Sequence, residues 1–298
     1  MIDPQADTLL QTMRANARAM PDDTAEWLRG YRAQLDGLPQ FQGPAPDIDV
    51  VDTTGPGGIV LRAYRPRPGV LPTVLFCHGG GFVAGTLRGY DIPLRWLALR
   101  SGWQVVAVDY RVAPEHPYPA GPDDCRAALR FLGDGGLGAD AGRLSVAGDS
   151  AGGLLATLLA REAGDLRLAL QVLLYPNTDL RQDTPHASRP EFDGTVIRLP
   201  ELYRSLALYL GATDRTRPDV SPLLAPDLSG LCPALLITNE HDPLRDEAEA
   251  YGARLRDAGV PVEHERMPGM IHGALQYGAV VDAGDRLITR VADALRAA

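Results

Sequence analysis

The chain has 298 residues, 45% of them hydrophobic, which is enough to bury a substantial core, and its formal net charge is −9. All 29 basic residues are arginine, which excludes a Walker-type phosphate loop, Schiff-base catalysis and a Ser-Lys dyad, since each needs a lysine. The acidic balance without a basic run argues against nucleic acid or an anionic membrane surface as partner, and no apolar stretch reaches the roughly 18 residues of a membrane span.

The N-terminal MIDPQADTLL is acidic and lacks the charged and apolar regions of a secretory signal, so a cytoplasmic protein is expected. Residues 1–40 read as one or two amphipathic helices, around LLQTMRANARAM and DTAEWLRGYRAQL, ahead of any strand. From there short apolar, β-branched runs alternate with helical patterns. Strands are expected at 59–66, 73–78, 105–110, 144–148, 168–176, 234–240 and 262–267. Helices are expected at 90–100, 122–132, 152–163, 244–258 and 279–297. Continuous rather than alternating apolar strands, separated by helices, predict an α/β fold with a mostly parallel sheet covered on both faces. Its functional residues then belong at the carboxyl ends of the strands. Residues 180–215, polar at RQDTPHASRP and helical at PELYRSLALYLG, interrupt the alternation; this stretch and residues 1–40 are candidates for a lobe over the strand ends. Cys77, Cys125 and Cys232 are odd in number and far apart, so they read as small buried apolar residues rather than a disulfide framework or a zinc site. No His-Glu-x-x-His or clustered His/Cys/Asp spacing calls for a metal.

Behind the strand at 73–78 stands HGGGF, residues 78–82, whose successive glycines allow positive φ and close approach of backbone N–H groups to a ligand. Further on, the strand LSVAG runs into GDSAGG, residues 148–153, and then into the helical LLATLLA. This is G-x-S-x-G in the strand-turn-helix setting of a nucleophile elbow. Gly148 and Gly152 let strand and helix pass closely, while Ser150 occupies a strained turn at a helix N-terminus that favours developing negative charge.

A serine hydroxyl is a poor nucleophile at neutral pH and needs a base, which needs an orienting acid; in the elbow plan acid and then histidine follow the serine along the chain. Of six histidines, His241, His264 and His272 lie late enough. His264 sits inside VEHERM and His241 adjoins the candidate acid, so structural roles are expected for both. His272, in PGMIHG between the last strand and the last helix, is the expected base. Asp242 directly follows the strand ALLITNE and is the expected acid. Its rivals Asp246 and Glu247 read better as first-turn residues of a helix with Pro243 at its start. Attack by Ser150 on a carbonyl makes an oxyanion, for which glycines 79–81 and Ala151 offer backbone donors.

HGGGF (78–82), DYRVAPEHPYPA (109–120), GDSAGG (148–153), HDPLRDE (241–247) and MIHG (270–273) together resemble the bacterial hormone-sensitive-lipase-like carboxylesterases, family IV esterases of the α/β-hydrolase superfamily, over residues 50–298. The resemblance implies Ser150, Asp242 and His272 as catalytic residues and Gly80, Gly81 and Ala151 as the oxyanion hole. It further implies one α/β-hydrolase domain over 1–298, with cap segments at about 1–40 and 180–215. The activity implied is hydrolysis of short- to medium-chain acyl esters through an acyl-enzyme, without metal or cofactor. The partner is then a small-molecule ester, with a homodimer as one option. Leu154 stands where the family often has a polar residue, and Ala274 where it often has an aromatic; the second bears on pocket shape. Asp109, Arg111 and Glu115 are expected to anchor a loop by charge-assisted hydrogen bonds. A serine amidase or peptidase would share the triad. A receptor-like binding module of this fold would lack a working histidine, and His272 argues against it.

Overall fold

The computed structural model describes residues 1–16 and 20–298. Its strands are β1 (Asp49–Thr54), β2 (Val60–Arg65), β3 (Leu71–Cys77), β4 (Gln104–Asp109), β5 (Ala139–Asp149), β6 (Leu168–Leu174), β7 (Ala234–His241) and β8 (Val262–Ile271). Its helices are α1 (Pro4–Asn16), α2 (Thr24–Asp36), α3 (Asp91–Ser101), α4 (Ala120–Gly133), α5 (Ala151–Arg161), α6 (Ser188–Glu191), α7 (Leu199–Leu210), α8 (Arg245–Asp257) and α9 (Asp282–Ala297). The strands form one eight-stranded sheet of order β1-β2-β4-β3-β5-β6-β7-β8. Only β2 runs antiparallel to its neighbours; every other pairing is parallel.

Successive residues of a strand face opposite sides of the sheet, and here both sides are covered. Val74 and Phe76 of β3 enter one core with α1, α3 and α9, while Leu75 and Cys77 enter the other with α4, α5 and α8. That is why β3 is buried along its whole length. Each fully buried Leu or Phe in these layers contributes about 1.5–3 kcal/mol. The strand order reverses direction around β3, whose neighbours are β4 and β5, and this opens a crevice at the carboxyl ends of β3 and β5. HGGGF leaves one end and GDSAGG the other.

Several expectations need correction. β1 went unpredicted: DVVDTT is an edge strand with no fully buried position, so it carries no apolar face to read. β8 continues past Met267 to Ile271. Pro268 and Gly269 look like a turn, but they form an irregularity in the pairing with β7, where Gly269 has φ of 70° and its N–H donates to Glu240 Oε2 at 2.6 Å. Helix α8 begins at Arg245 with Leu244 as its N-cap, so Pro243 lies outside it. Cys77 and Cys125 are buried as expected, whereas Cys232 is partly exposed. The helix expected over LLQTMRANARAM runs to Asn16, and residues 17–19 of that stretch lie outside the described residues.

Candidate active site

β5 ends at Asp149 and α5 begins at Ala151, leaving Ser150 alone to turn the chain, with φ of 54° and ψ of −120°. Positive φ is unfavourable for a serine and persists because its surroundings dictate it. The Ser150 N–H donates to Leu174 O at 2.9 Å, and its carbonyl accepts from Asn177 N at 3.1 Å. Close approach does the rest. A Cβ on Gly148 would lie 2.1 Å from Gly152 O, and one on Gly152 would lie 2.0 Å from Cys77 O.

His272 follows β8 directly and reaches back to the serine. Its Nε2 lies 2.9 Å from Ser150 Oγ and its Nδ1 lies 2.7 Å from Asp242 Oδ2. A carboxylate only accepts, so Nδ1 carries the proton and Nε2 is free to receive one from the hydroxyl. Asp242 is fully buried, and its Oδ1 accepts the Leu244 N–H at 2.8 Å. Tyr175, missed by sequence reasoning, stacks edge-on against His272 at 4.9 Å and accepts the Leu275 N–H at 3.2 Å, holding the loop beyond the imidazole.

The rival acids point elsewhere. Asp246 Oδ2 accepts the Ser188 N–H at 2.8 Å, and buried Glu247 pairs with Arg189 at 2.6 Å while accepting the Thr178 N–H at 2.9 Å. Burial pushes the Glu247 carboxyl up, with Arg189 opposing. His264 Nε2 meets Thr238 Oγ1 at 3.0 Å, and His241 stacks edge-on against Phe192. The histidine of HGGGF, His78, is buried and its pKa is pushed down to about 4, so it stays neutral.

The three glycines are not equivalent. The Gly79 N–H donates to Asp149 Oδ1 at 2.8 Å and to the Tyr90 hydroxyl at 2.9 Å, and is therefore spent on holding the loop. Gly80 and Gly81, at φ of 126° and 62°, keep N–H groups with no acceptor among the described residues. Asp149 lies inside the GDSAGG motif, and only its position there hints at this supporting role. Burial pushes its pKa up to about 6, although Gly79 and Tyr90 both donate to it.

Above Ser150 and His272 lies a cleft that, together with the solvent space at its mouth, spans about 920 Å³. Met13, Tyr31 and Leu35 wall it from the N-terminal segment, and Ile197, Glu201 and Leu202 from the segment before and within α7. Tyr31, Gln34, Arg198, Glu201 and Ser205 set polar groups among the apolar side chains of its upper wall. Ala274 is buried and does not line it among the described residues. Of the DYRVAPE charges, Arg111 pairs with Asp124 at 2.8 Å and Glu115 with Arg32 at 2.6 Å, whereas the exposed Asp109 carboxylate, expected to do the same, has no hydrogen bond or ion pair among the described residues. Among the described residues no group of three His, Cys, Asp or Glu side chains is arranged to hold a metal, and no helix is long and apolar enough to cross a membrane.

A serine at a strand-to-helix elbow at the switch point of a parallel sheet, beside a glycine-rich loop from the neighbouring strand end, is the architecture of an α/β hydrolase. A family model described as the alpha/beta hydrolase fold matches residues 74–276, and the chain belongs to that family. Carboxylesterase NlhH of Mycobacterium tuberculosis is 40% identical over 100% of this chain and 96% of its own length. Esterase LipI of the same organism is 38% identical over 90% and 88%. The hyperthermophilic esterase of Pyrobaculum calidifontis superposes with a TM-score of 0.91 at 36% identity, covering 99% of this chain and 98% of its own. The protein is a carboxylesterase.

Proposed function

We propose that the enzyme hydrolyses short- to medium-chain acyl esters through Ser150, Asp242 and His272, in the manner of the hormone-sensitive-lipase-like esterases. The observation that carries this reading is the unbroken chain of contacts from Ser150 Oγ through His272 to Asp242, 2.9 and 2.7 Å long. Ser150 Oγ attacks the acyl carbon as its proton passes to His272 Nε2, and Asp242 stabilises the imidazolium. The carbonyl oxygen becomes an anion against the N–H groups of Gly80, Gly81 and Ala151; each such donor is worth about two to three orders of magnitude in rate. The tetrahedral intermediate collapses, His272 returns the proton to the leaving alkoxide, and an acyl-Ser150 ester remains. Water then repeats the sequence with His272 again as base, releasing the acid. In this reading residues 1–298 are one domain, and the segments at about 1–40 and 180–215 are its cap over the reacting ester.

An organophosphate is expected to add covalently to Ser150, and Ser150→Ala to abolish both labelling and ester turnover. His272→Ala and Asp242→Asn should each lower kcat by about three to four orders of magnitude with folding retained, and Asp246→Asn far less. Peptide mapping of the labelled protein checks the first point. An adduct on another serine, or a severe effect confined to Asp246→Asn, would overturn the assignment.

A further inference from the structure

The upper wall of the cleft carries a cluster of polar groups among its apolar side chains. Tyr31 comes down from α2, while Glu201 and Ser205 come from α7. A Cβ placed on Gly81 would sit 3.5 Å from the Tyr31 hydroxyl and 3.3 Å from Ser205 Oγ, so both oxygens lie against the oxyanion loop itself. The Tyr31 hydroxyl has no hydrogen-bond partner among the described residues, and burial, with Glu201 beside it, holds its pKa well above the ordinary tyrosine value. It is therefore a standing donor. Ser205 Oγ donates to Glu201 O at 3.0 Å, which leaves its lone pairs to accept. Glu201 Oε1 accepts from Trp27 Nε1 at 3.3 Å and from Arg198, whereas Oε2 has no partner among the described residues.

We propose that Tyr31, Glu201 and Ser205 form a polar subsite that binds a hydroxyl group carried by the ester near its scissile carbonyl. This rests on Ser150 and His272 being the reacting groups. A hydroxyl is the small neutral group that accepts from Tyr31 and donates to Glu201 or Ser205 at once. An alkyl group in its place strands a buried donor and an acceptor, which is how a polar site rejects an apolar analogue. A carboxylate finds the Arg198 cation already paired with Glu201 and faces the open Glu201 Oε2, and an ammonium leaves the Tyr31 donor unanswered. The three oxygens are also held in place. The Tyr31 ring stacks on Trp27 at 5.4 Å, and the next residue, Arg32, donates to Val83 O at 2.8 Å and Ala113 O at 3.0 Å, fastening α2 to the core.

The hydroxyl can sit on either side of the ester, and paired substrates of matched shape locate it. Para-nitrophenyl β-hydroxybutyrate against para-nitrophenyl isovalerate probes the acyl side; hydroxyethyl acetate against propyl acetate probes the alcohol side. In one pair the hydroxylated ester is expected to have about tenfold higher kcat/KM, the factor of one net hydrogen bond. Tyr31→Phe and Glu201→Gln should each bring that ratio close to unity. Because a ratio is read on one preparation, a general loss of active protein cancels, and the two variants stand in for each other if one fails to fold. Ratios near unity in both pairs for the wild type, or a preference unmoved by both variants, would overturn the subsite. Ser150→Ala run alongside separates the two readings: turnover surviving in it overturns the active-site assignment, whereas its loss with no hydroxyl preference overturns only the subsite.

Discussion

Asp149 is a costly group to bury, a carboxyl only 3% exposed whose pKa stands at about 6 because burial disfavours its charge. What offsets the cost is its pair of donors, the Gly79 N–H and the Tyr90 hydroxyl at 3.0 Å, through which the Ser150 turn grips the HGGGF loop. The unfolded chain releases this proton near pH 3.9. Between that value and about 6 the native state therefore binds more protons than the unfolded one, and Asp149 makes stability fall as pH rises through that window. Above it the deficit is constant. Asp149→Asn does not titrate, so the stability of the variant relative to wild type should improve by roughly 2 kcal/mol between about pH 4 and about pH 7. Urea unfolding midpoints of both proteins at the two pH values measure this. A difference independent of pH would mean that Asp149 is not held in its protonated form by burial.

The elbow is a contact between elements before it is a piece of chemistry: α5 lies so close to β3 that only glycine fits at the crossing. A Cβ at Gly152 would meet Cys77 O at 2.0 Å and His78 O at 2.6 Å, and those carbonyls cannot retreat without breaking the centre of the sheet. Gly152→Ala should cost more than about 3 kcal/mol or prevent folding. Gly30→Ala on the exposed side of α2, where a Cβ meets nothing within 4 Å, should instead stabilise by about 0.5–1 kcal/mol. Chemical denaturation of the two variants decides it, and equal effects would remove the steric explanation. This crossing was legible in the sequence because steric necessity writes glycine at fixed positions. Edge strand β1 was not, since exposed Asp49, Asp52 and Thr54 stand among half-buried residues with no buried position to set a period. The end of β8 was misread for the opposite reason: Pro268 and Gly269 advertise a turn that pairing with β7 overrides. Ser150, Asp242 and His272 could be named from motif order, but Tyr90, Tyr175 and Glu201 could not, because nothing local marks a polar residue whose partner lies far along the chain.

The cleft is the extreme case of that distance, since Trp27 and Glu201, which meet above it, are 174 positions apart. Its walls come from both extra segments: Leu35 stands on α2 and Leu202, 7% exposed, on α7. Arg204 ties the segments together, lying over the Trp27 ring at 5.5 Å and donating to Pro21 O at 2.7 Å. If these walls set the acyl length, shortening either one should admit longer chains, because removing a few methylene-sized groups from such a pocket shifts discrimination by about tenfold or more. Leu202→Ala and Leu35→Ala are each expected to raise the octanoate-to-butyrate ratio of kcat/KM by about that factor. Leu202→Ala should also cost about 2–3 kcal/mol of stability, so the assays belong well below its melting temperature. Val70→Ala, at a position 68% exposed in the connection between β2 and β3, should leave the ratio where it is. Kinetics on para-nitrophenyl esters of graded length measure all three variants. A profile unchanged in both leucine variants would mean that the two segments enclose the site without selecting the acyl chain.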